Sequence, residues 1–188
     1  MPEIGLDASA VAPRIGLHVI HRKPALGEKI RDLALDHHGS PIMPETELLL
    51  MFAARAQHLE EVIRPALARG ECVVCDRFTD ATYAYQGGGR GVPETSIKQT
   101  ESLVHGDLQP DLTLLLDIPV EQGLERVSRR GEADRFEQES MKFFRRVRQA
   151  YLARAKSNGR RFEIIDASGD MAQVWSQIES VLERRIGQ

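Results

Sequence analysis

The sequence has only two cysteines in 188 residues, and they stand close together as Cys72-Val-Val-Cys75. On a strand, the period of two places positions 72 and 75 on opposite faces, so they cannot share a metal or form a redox pair there. Two buried strand thiols are expected instead, in a reducing, cytoplasmic setting. Long apolar runs are also missing: no stretch reaches the roughly 18 residues that a membrane-spanning helix needs. The opening "MPEIGLDASAVAPRIG" lacks the basic start and apolar stretch of a secretory signal. There is no surplus of positive charge: 25 Lys and Arg face 28 Asp and Glu, for a net charge of −3. That balance argues against a dedicated nucleic-acid binder. Neither internal repeats nor low-complexity linkers break the chain, so its length fits one domain, residues 1–188, with a core of its own.

What is present is a regular alternation. "PETELLLMFAARAQHLEEVIRPALARG" opens with Pro44, suited to a first helical turn, and closes on Gly70, suited to ending one. Leu48, Phe52, Leu59 and Ile63 recur at the helical period, and Pro65 should kink or restart the helix near its end. Short apolar segments predict strands at 16–21 ("GLHVIH"), 71–75 ("ECVVC"), 112–118 ("LTLLLDI") and 161–167 ("RFEIIDA"). Helical patterns cover roughly 93–104, 119–130, 137–157 and 171–185, the last with Trp175, Ile178 and Leu182 on one side. Strands alternating with helices predict an α/β fold, a parallel sheet covered on both faces.

Three constellations carry chemistry. Asp76-Arg77 follows the apolar 72–75 segment, at the carboxyl end of a strand, where open α/β sheets bind ligands. A carboxylate there can hold Mg²⁺ beside a nucleotide, and an arginine offers a two-pronged fork for phosphate. The same dipeptide also reads as a surface ion pair ending a strand. Arg55 lies on the stripe of Leu48, Phe52, Leu59 and Ile63, where an apolar residue is expected, with Phe52 about one turn earlier. Ring and fork together suit a nucleobase, and a snorkelling rim arginine is the alternative. Finally, "SRRGEADRFE" at 128–137 places Arg129, Arg130 and Arg135 in a loop between two helices. Such a loop can close over phosphates and neutralise charge developing during phosphoryl transfer, although basic surface loops are common.

These pieces together resemble bacterial thymidylate kinase, the family that makes dTDP from dTMP and ATP. The resemblance runs over roughly 16–185 and is carried by "TELLLMFAARAQHLEEVIRPALARGECVVCDRFTDATYAYQGGGRG", "PDLTLLLDIPVEQGLERVSRRGEADRFEQES" and "FFRRVRQAYLARA". It implies a P-loop kinase-like parallel sheet flanked by helices, with ATP as cosubstrate and Mg²⁺ as the metal. Asp76 would then sit by the Mg²⁺ and the phosphates, and Arg77 would hold the dTMP phosphate. Phe52 would stack near the thymine with Arg55 hydrogen-bonding it. Thr82, Tyr83 and Gln86 would line the pocket around base and sugar, and Arg31, in the register of "LGEKIR", joins the substrate set. The loop 128–137 resembles the family's lid, its arginines Arg129, Arg130 and Arg135 joining Asp76 as the catalytic set. Asp166-Ala167 resembles the turn near the adenine, and Gly87 to Gly89 would permit tight turns at the monophosphate pocket. A homodimer packed through helices is implied as well.

One part of the family pattern is missing. Near its start the family carries approximately G-x-x-G-A-G-K-[ST]-T, whose backbone N–H groups and lysine cradle ATP phosphates. Here residues 5–13 read "GLDASAVAP", and no Gly-Lys pair occurs anywhere in the sequence. The next family motif, T-R-E-P-G-G-T, is reduced to "HRKPALG", with Lys23 in place of the acid. Residues 1–25 are thus a degenerate N-terminal region, and the first strand is expected to be lost or altered. Three readings stay open: a dTMP kinase with impaired turnover, a non-catalytic homologue that keeps a dTMP pocket, or a defective gene product.

Overall fold

The computed structural model describes residues 24–36, 41–128, 136 and 139–186. Helix α1 (Ala25–Leu35) packs on α2 (Pro44–His58), which starts, as expected, with proline in its first turn. The helical stretch continues through a π-helical segment, Leu59–Ile63, into α3 (Arg64–Ala68). That segment ends two residues before Pro65, and the Arg64 N–H reaches back five residues to the Leu59 carbonyl. Proline brings no N–H and crowds the turn before it, so the ladder widens there and the stretch continues through the π-turn. Gly70, at φ 74°, ends the stretch in the left-handed region that glycine enters at least cost.

A bend at Asp76 and Arg77 leads to the single turn α4 (Thr79–Thr82) and then to a second π-helical segment, Tyr83–Gly89. Helix α5 (Glu94–His105) follows, then β1 (Thr113–Asp117), α6 (Val120–Ser128), α7 (Met141–Ser157), β2 (Phe162–Asp166) and α8 (Met171–Ile186). The two strands pair in parallel, Leu115 opposite Ile164, with α6 and α7 in the connection between them. A parallel pair joined through helices is the unit that the alternating pattern predicts. Helix α8 lays Val174, Ile178 and Val181 on Ile165 and Ala167. Two other clusters build the helical half: Leu48, Phe52, Tyr83, Val92 and Ile97, and Ala84, Tyr85, Phe136, Phe143 and Val147.

Several expectations are corrected. The 71–75 segment is not a strand: Cys72 forms one isolated bridge, and the rest is extended coil. The thiols are accordingly not both buried: Cys72 is exposed, Cys75 is half-buried, and Val74 is 45% exposed. Helix α7 starts at Met141 rather than 137 because the Ser140 hydroxyl accepts from the Phe143 N–H at 3.2 Å and caps it. The strand expected at 16–21, the degenerate region up to residue 23 and the lid residues 129–135 lie outside the described residues.

The three glycines also serve a different end from the one expected. None of Gly87, Gly88 and Gly89 has a positive φ. What they allow is contact: a Cβ on Gly88 would stand 2.6 Å from the Ala150 Cβ, and one on Gly89 would stand 2.5 Å from the Phe143 ring. The π-segment therefore lies flush against α7, and Arg146 donates to the carbonyls of Gly88 (3.2 Å) and Gly89 (2.6 Å). Gly88→Ala should overpack this contact and cost about 1–3 kcal/mol, read as a lower urea midpoint. An unchanged midpoint would contradict the packing role.

Candidate active site

The bend after Cys75 is conformationally special. Arg77 has φ 60°, and among the described residues it is the one non-glycine in the left-handed region. Such a backbone costs on the order of 1–3 kcal/mol and persists where its surroundings over-determine it, often at functional sites. Here the guanidinium lies 5.4 Å over the ring of Tyr85, a cation–π contact. Asp76 is exposed beside it.

Arg55 meets this bend from α2. Its guanidinium lies 4.9 Å over Phe52 and 5.6 Å over Phe78, and Nη2 donates to the Phe78 carbonyl at 3.4 Å. Nη1 is buried and has no hydrogen-bond partner. Burial pulls the Arg55 pKa down to about 10, with the nearby acidic groups Cys75, Glu101 and Asp80 opposing it, so the group remains a cation at neutral pH. Phe52 is 1% exposed, so its ring supports the guanidinium from beneath. The sequence expectation that these two side chains project together is met.

Thr82, Tyr83 and Gln86 are all buried, one helical turn and more behind the bend. The Gln86 amide donates to Glu47 at 2.8 Å, and Glu47, completely enclosed, also receives Arg90 at 3.2 Å. Arg90 reaches on to Glu139 and lies 4.8 Å over Phe143. The Tyr83 hydroxyl donates to Glu101, and the Arg154 guanidinium covers the Tyr83 ring at 3.6 Å. Arg31 is carried by α1 and joins none of the site's described hydrogen bonds. Arg129, Arg130 and Arg135 lie outside the described residues.

Sequence reasoning missed the group that holds the bend in place. Asp80, buried on α4, accepts from Arg154 Nε at 2.7 Å and from Arg161 Nη1 and Nη2 at 2.7 and 2.8 Å. Arg154 could have been found: it continues the buried stripe Phe143, Val147 and Tyr151 on α7, the same anomaly that singled out Arg55. Nothing in the sequence marks Asp80 or the enclosed Glu47. Two open clefts lie away from the bend. One, of about 550 Å³, backs onto Arg154 and Arg161, and the other, of about 710 Å³, runs along Asp166, Ser168 and Gln173. The turn beside the second is gathered by Arg126, which donates to the carbonyls of Ala167, Ser168 and Gly169.

Comparison with known proteins narrows what this arrangement does. The family model described as thymidylate kinase matches residues 17–178. A thymidylate kinase of Ectopseudomonas mendocina is 56% identical over 167 residues, which is 87% of this chain and 80% of that protein. One from Pseudomonas savastanoi pv. phaseolicola is 57% identical over 157 residues, 84% of this chain and 75% of that protein. Among solved structures, the crystal structure of thymidylate kinase from Ehrlichia chaffeensis superposes with a TM-score of 0.72 at 28% identity, covering 94% of this chain and 87% of that one.

The Asp80 ion triad makes a direct prediction. Burial pushes the Asp80 carboxyl up, yet the hydrogen bonds and charge of Arg161 and Arg154 outweigh it and hold the group below the usual carboxylate range. A depressed carboxylate contributes its stability in full above the unfolded-chain value near 4 and loses it as the pH falls through the lower folded value. Asp80→Asn should therefore cost about 3–5 kcal/mol at pH 7, because it breaks a buried carboxylate's ion pairs and leaves two half-buried guanidinium groups uncompensated. The gap from wild type should shrink in acid. Urea unfolding of both proteins at pH 7 and pH 3 measures this, and a gap of equal size at both would contradict the assignment.

Proposed function

The chain belongs to the thymidylate kinase family, and we propose that the bend at residues 76–78, with Arg55 beside it, is where it holds dTMP for phosphoryl transfer from ATP. The chain is a nucleoside-monophosphate kinase, and its reaction converts dTMP to dTDP. The observation that carries the site is the buried, unpartnered Nη1 of Arg55. A desolvated donor left without an acceptor costs about 1–3 kcal/mol, and a carbonyl of the pyrimidine is a fitting acceptor. Phe52 supports this contact from beneath the guanidinium.

Arg77 supplies the second anchor, its fork matching a phosphate bidentately, with Tyr85 supporting the guanidinium. Thr82, Tyr83 and Gln86 act by shaping the wall behind the bend, and Arg31, on α1, joins the substrate set. Asp76 is one exposed carboxylate, and among the described residues no group of three His, Cys, Asp or Glu forms a self-sufficient metal cage. That donor set fits Mg²⁺, which is commonly held by one carboxylate, waters and substrate phosphates. Bound there, the ion would offset the charge of the phosphates. Arg129, Arg130 and Arg135 take the lid role, closing on the ATP phosphates, and the turn at Asp166-Ala167 lies toward the adenine. Because proximity and charge neutralisation are most of phosphoryl-transfer catalysis, these residues act by holding the two phosphates together. We further infer a cytoplasmic homodimer: Leu49 on α2 and Leu103 on α5 are 60% and 85% exposed, apolar surface that a partner would cover.

A second reading rests on the absence of any Gly-Lys pair in the sequence: the chain binds dTMP but does not turn it over. Steady-state dTDP formation from dTMP and ATP-Mg²⁺ separates the two. The kinase reading expects turnover, with Arg77→Ala lowering kcat/KM for dTMP by roughly 30-fold or more, as loss of a charged pair costs about 2 kcal/mol or above. Full kcat/KM in the variant would remove Arg77 from the phosphate. A wild-type chain that binds dTMP and forms no dTDP would establish the second reading.

A further inference from the structure

We propose that His105 is a positioning residue for the nucleotide site, acting through Thr79 and Phe78 on Arg55; the inference rests on the dTMP-site reading above. His105 closes α5 and is buried, and its Nδ1 stands 2.9 Å from the Leu108 carbonyl. A carbonyl only accepts, so the proton of the neutral imidazole is on Nδ1. Nε2 is then a lone pair, and it accepts from the Thr79 hydroxyl at 2.8 Å. Thr79 is buried too, and it is the first residue of α4. The imidazole also packs on the Phe78 ring, centroids 5.1 Å apart at 45°. One side chain thus fixes two consecutive residues, 78 and 79. Residue 78 is the one on which Arg55 rests, through both its carbonyl and its ring. Residue 77 carries the left-handed backbone.

The charges around His105 come from three elements. Glu101, on its own helix, lies 3.9 Å from Nε2. Arg55 stands on α2, and Arg64 on α3 donates to the His105 carbonyl at 3.4 Å. Burial, the largest effect, lowers the imidazole's pKa; Glu101 and the Leu108 bond oppose it, and Arg55 and Arg64 add to it. The neutral ring is therefore the folded form at pH 7. With the folded value below the unfolded one, the stability it contributes is complete above about pH 6.5 and declines as the pH falls below that. Protonation would turn Nε2 into a donor toward Thr79 and place a second cation near Arg55.

The test uses Thr79→Val, which removes the hydroxyl, and Thr79→Ser, which keeps it. Titration calorimetry with thymidine is the first probe, because thymidine has no phosphate titrating near pH 6. At pH 7.5 Thr79→Val should bind thymidine about tenfold more weakly, the worth of one buried hydrogen bond, while Thr79→Ser stays within about twofold. Wild-type affinity should fall in acid together with the His105 titration followed by ¹⁵N NMR. The same spectra should show the proton on Nδ1 and a displaced Arg55 side-chain resonance in Thr79→Val. A proton on Nε2, or an Arg55 resonance unmoved in the valine variant, would overturn the proposal. Failure of the wild-type chain to bind thymidine or dTMP would instead overturn the substrate reading, and the arginine resonance alone would then decide the coupling. If Thr79→Val does not fold, the wild-type tautomer decides it.

Discussion

A single buried carboxylate, Asp80, ties the segment that carries the candidate site to the rest of the chain. It sits three residues beyond Arg77 and receives Arg154 from the last third of α7 and Arg161 from just before β2. Arg161 also donates to Thr113 at the start of β1 at 2.7 Å. Bend, long helix and sheet therefore meet at one ion triad. Arg154 extends the arrangement by covering the Tyr83 ring, whose hydroxyl is held by Glu101. Charges out of water are costly unless geometry and hydrogen bonds are both good. With three donors on two oxygens, Asp80 meets that condition, and the direction of its pKa shift agrees.

The other interior polar groups follow the same logic on the opposite side of the π-segment. Glu47, Gln86, Arg90 and Glu139 join α2, the residues on either side of the glycines and the approach to α7. Apart from Arg90 Nη2, these groups are spent on the protein itself, which leaves few donors for a ligand. Among the described residues, only Arg55 Nη1 and Arg90 Nη2 are buried side-chain atoms without a partner. Arg55 Nη1 belongs to a guanidinium already resting on Phe78 at the bend. A site built this way needs little rearrangement to bind, because its supports are fixed before the ligand arrives.

The helices and two of the strands were legible because burial imposes a period on apolar residues: α2, α5, α6 and α8 begin and end within a few residues of their patterns. The 71–75 segment shows the limit of that signal. Its valines are as apolar as a strand's, but apolarity alone does not make a ladder: among the described residues Cys72 forms one isolated bridge and the rest is extended coil. The charged residue on an apolar stripe was a useful sign of structure, correct in placing Arg55 against Phe52 and equally applicable to Arg154. Asp80, Glu47 and His105 left no trace, since a buried polar residue is recognisable only through partners distant in sequence: 74 and 81 positions for Asp80, 39 for Glu47 and 26 for His105. The glycine run was legible as important and misjudged in kind, because close approach and unusual φ call for the same residue.

The central claim is that the bend and its buried supports form a monophosphate site ready without ATP. Titration calorimetry with dTMP and with dCMP, in the absence of ATP and Mg²⁺, addresses it most directly. The two ligands differ most tellingly at one exocyclic position, a carbonyl acceptor in thymine and an amino donor in cytosine, which a guanidinium N–H tells apart. The account predicts binding of dTMP at one site per chain and dCMP weaker by about a hundredfold or more. Equal affinity for the two would contradict the role of Arg55, and no binding of dTMP without ATP would contradict the claim that the site stands preformed.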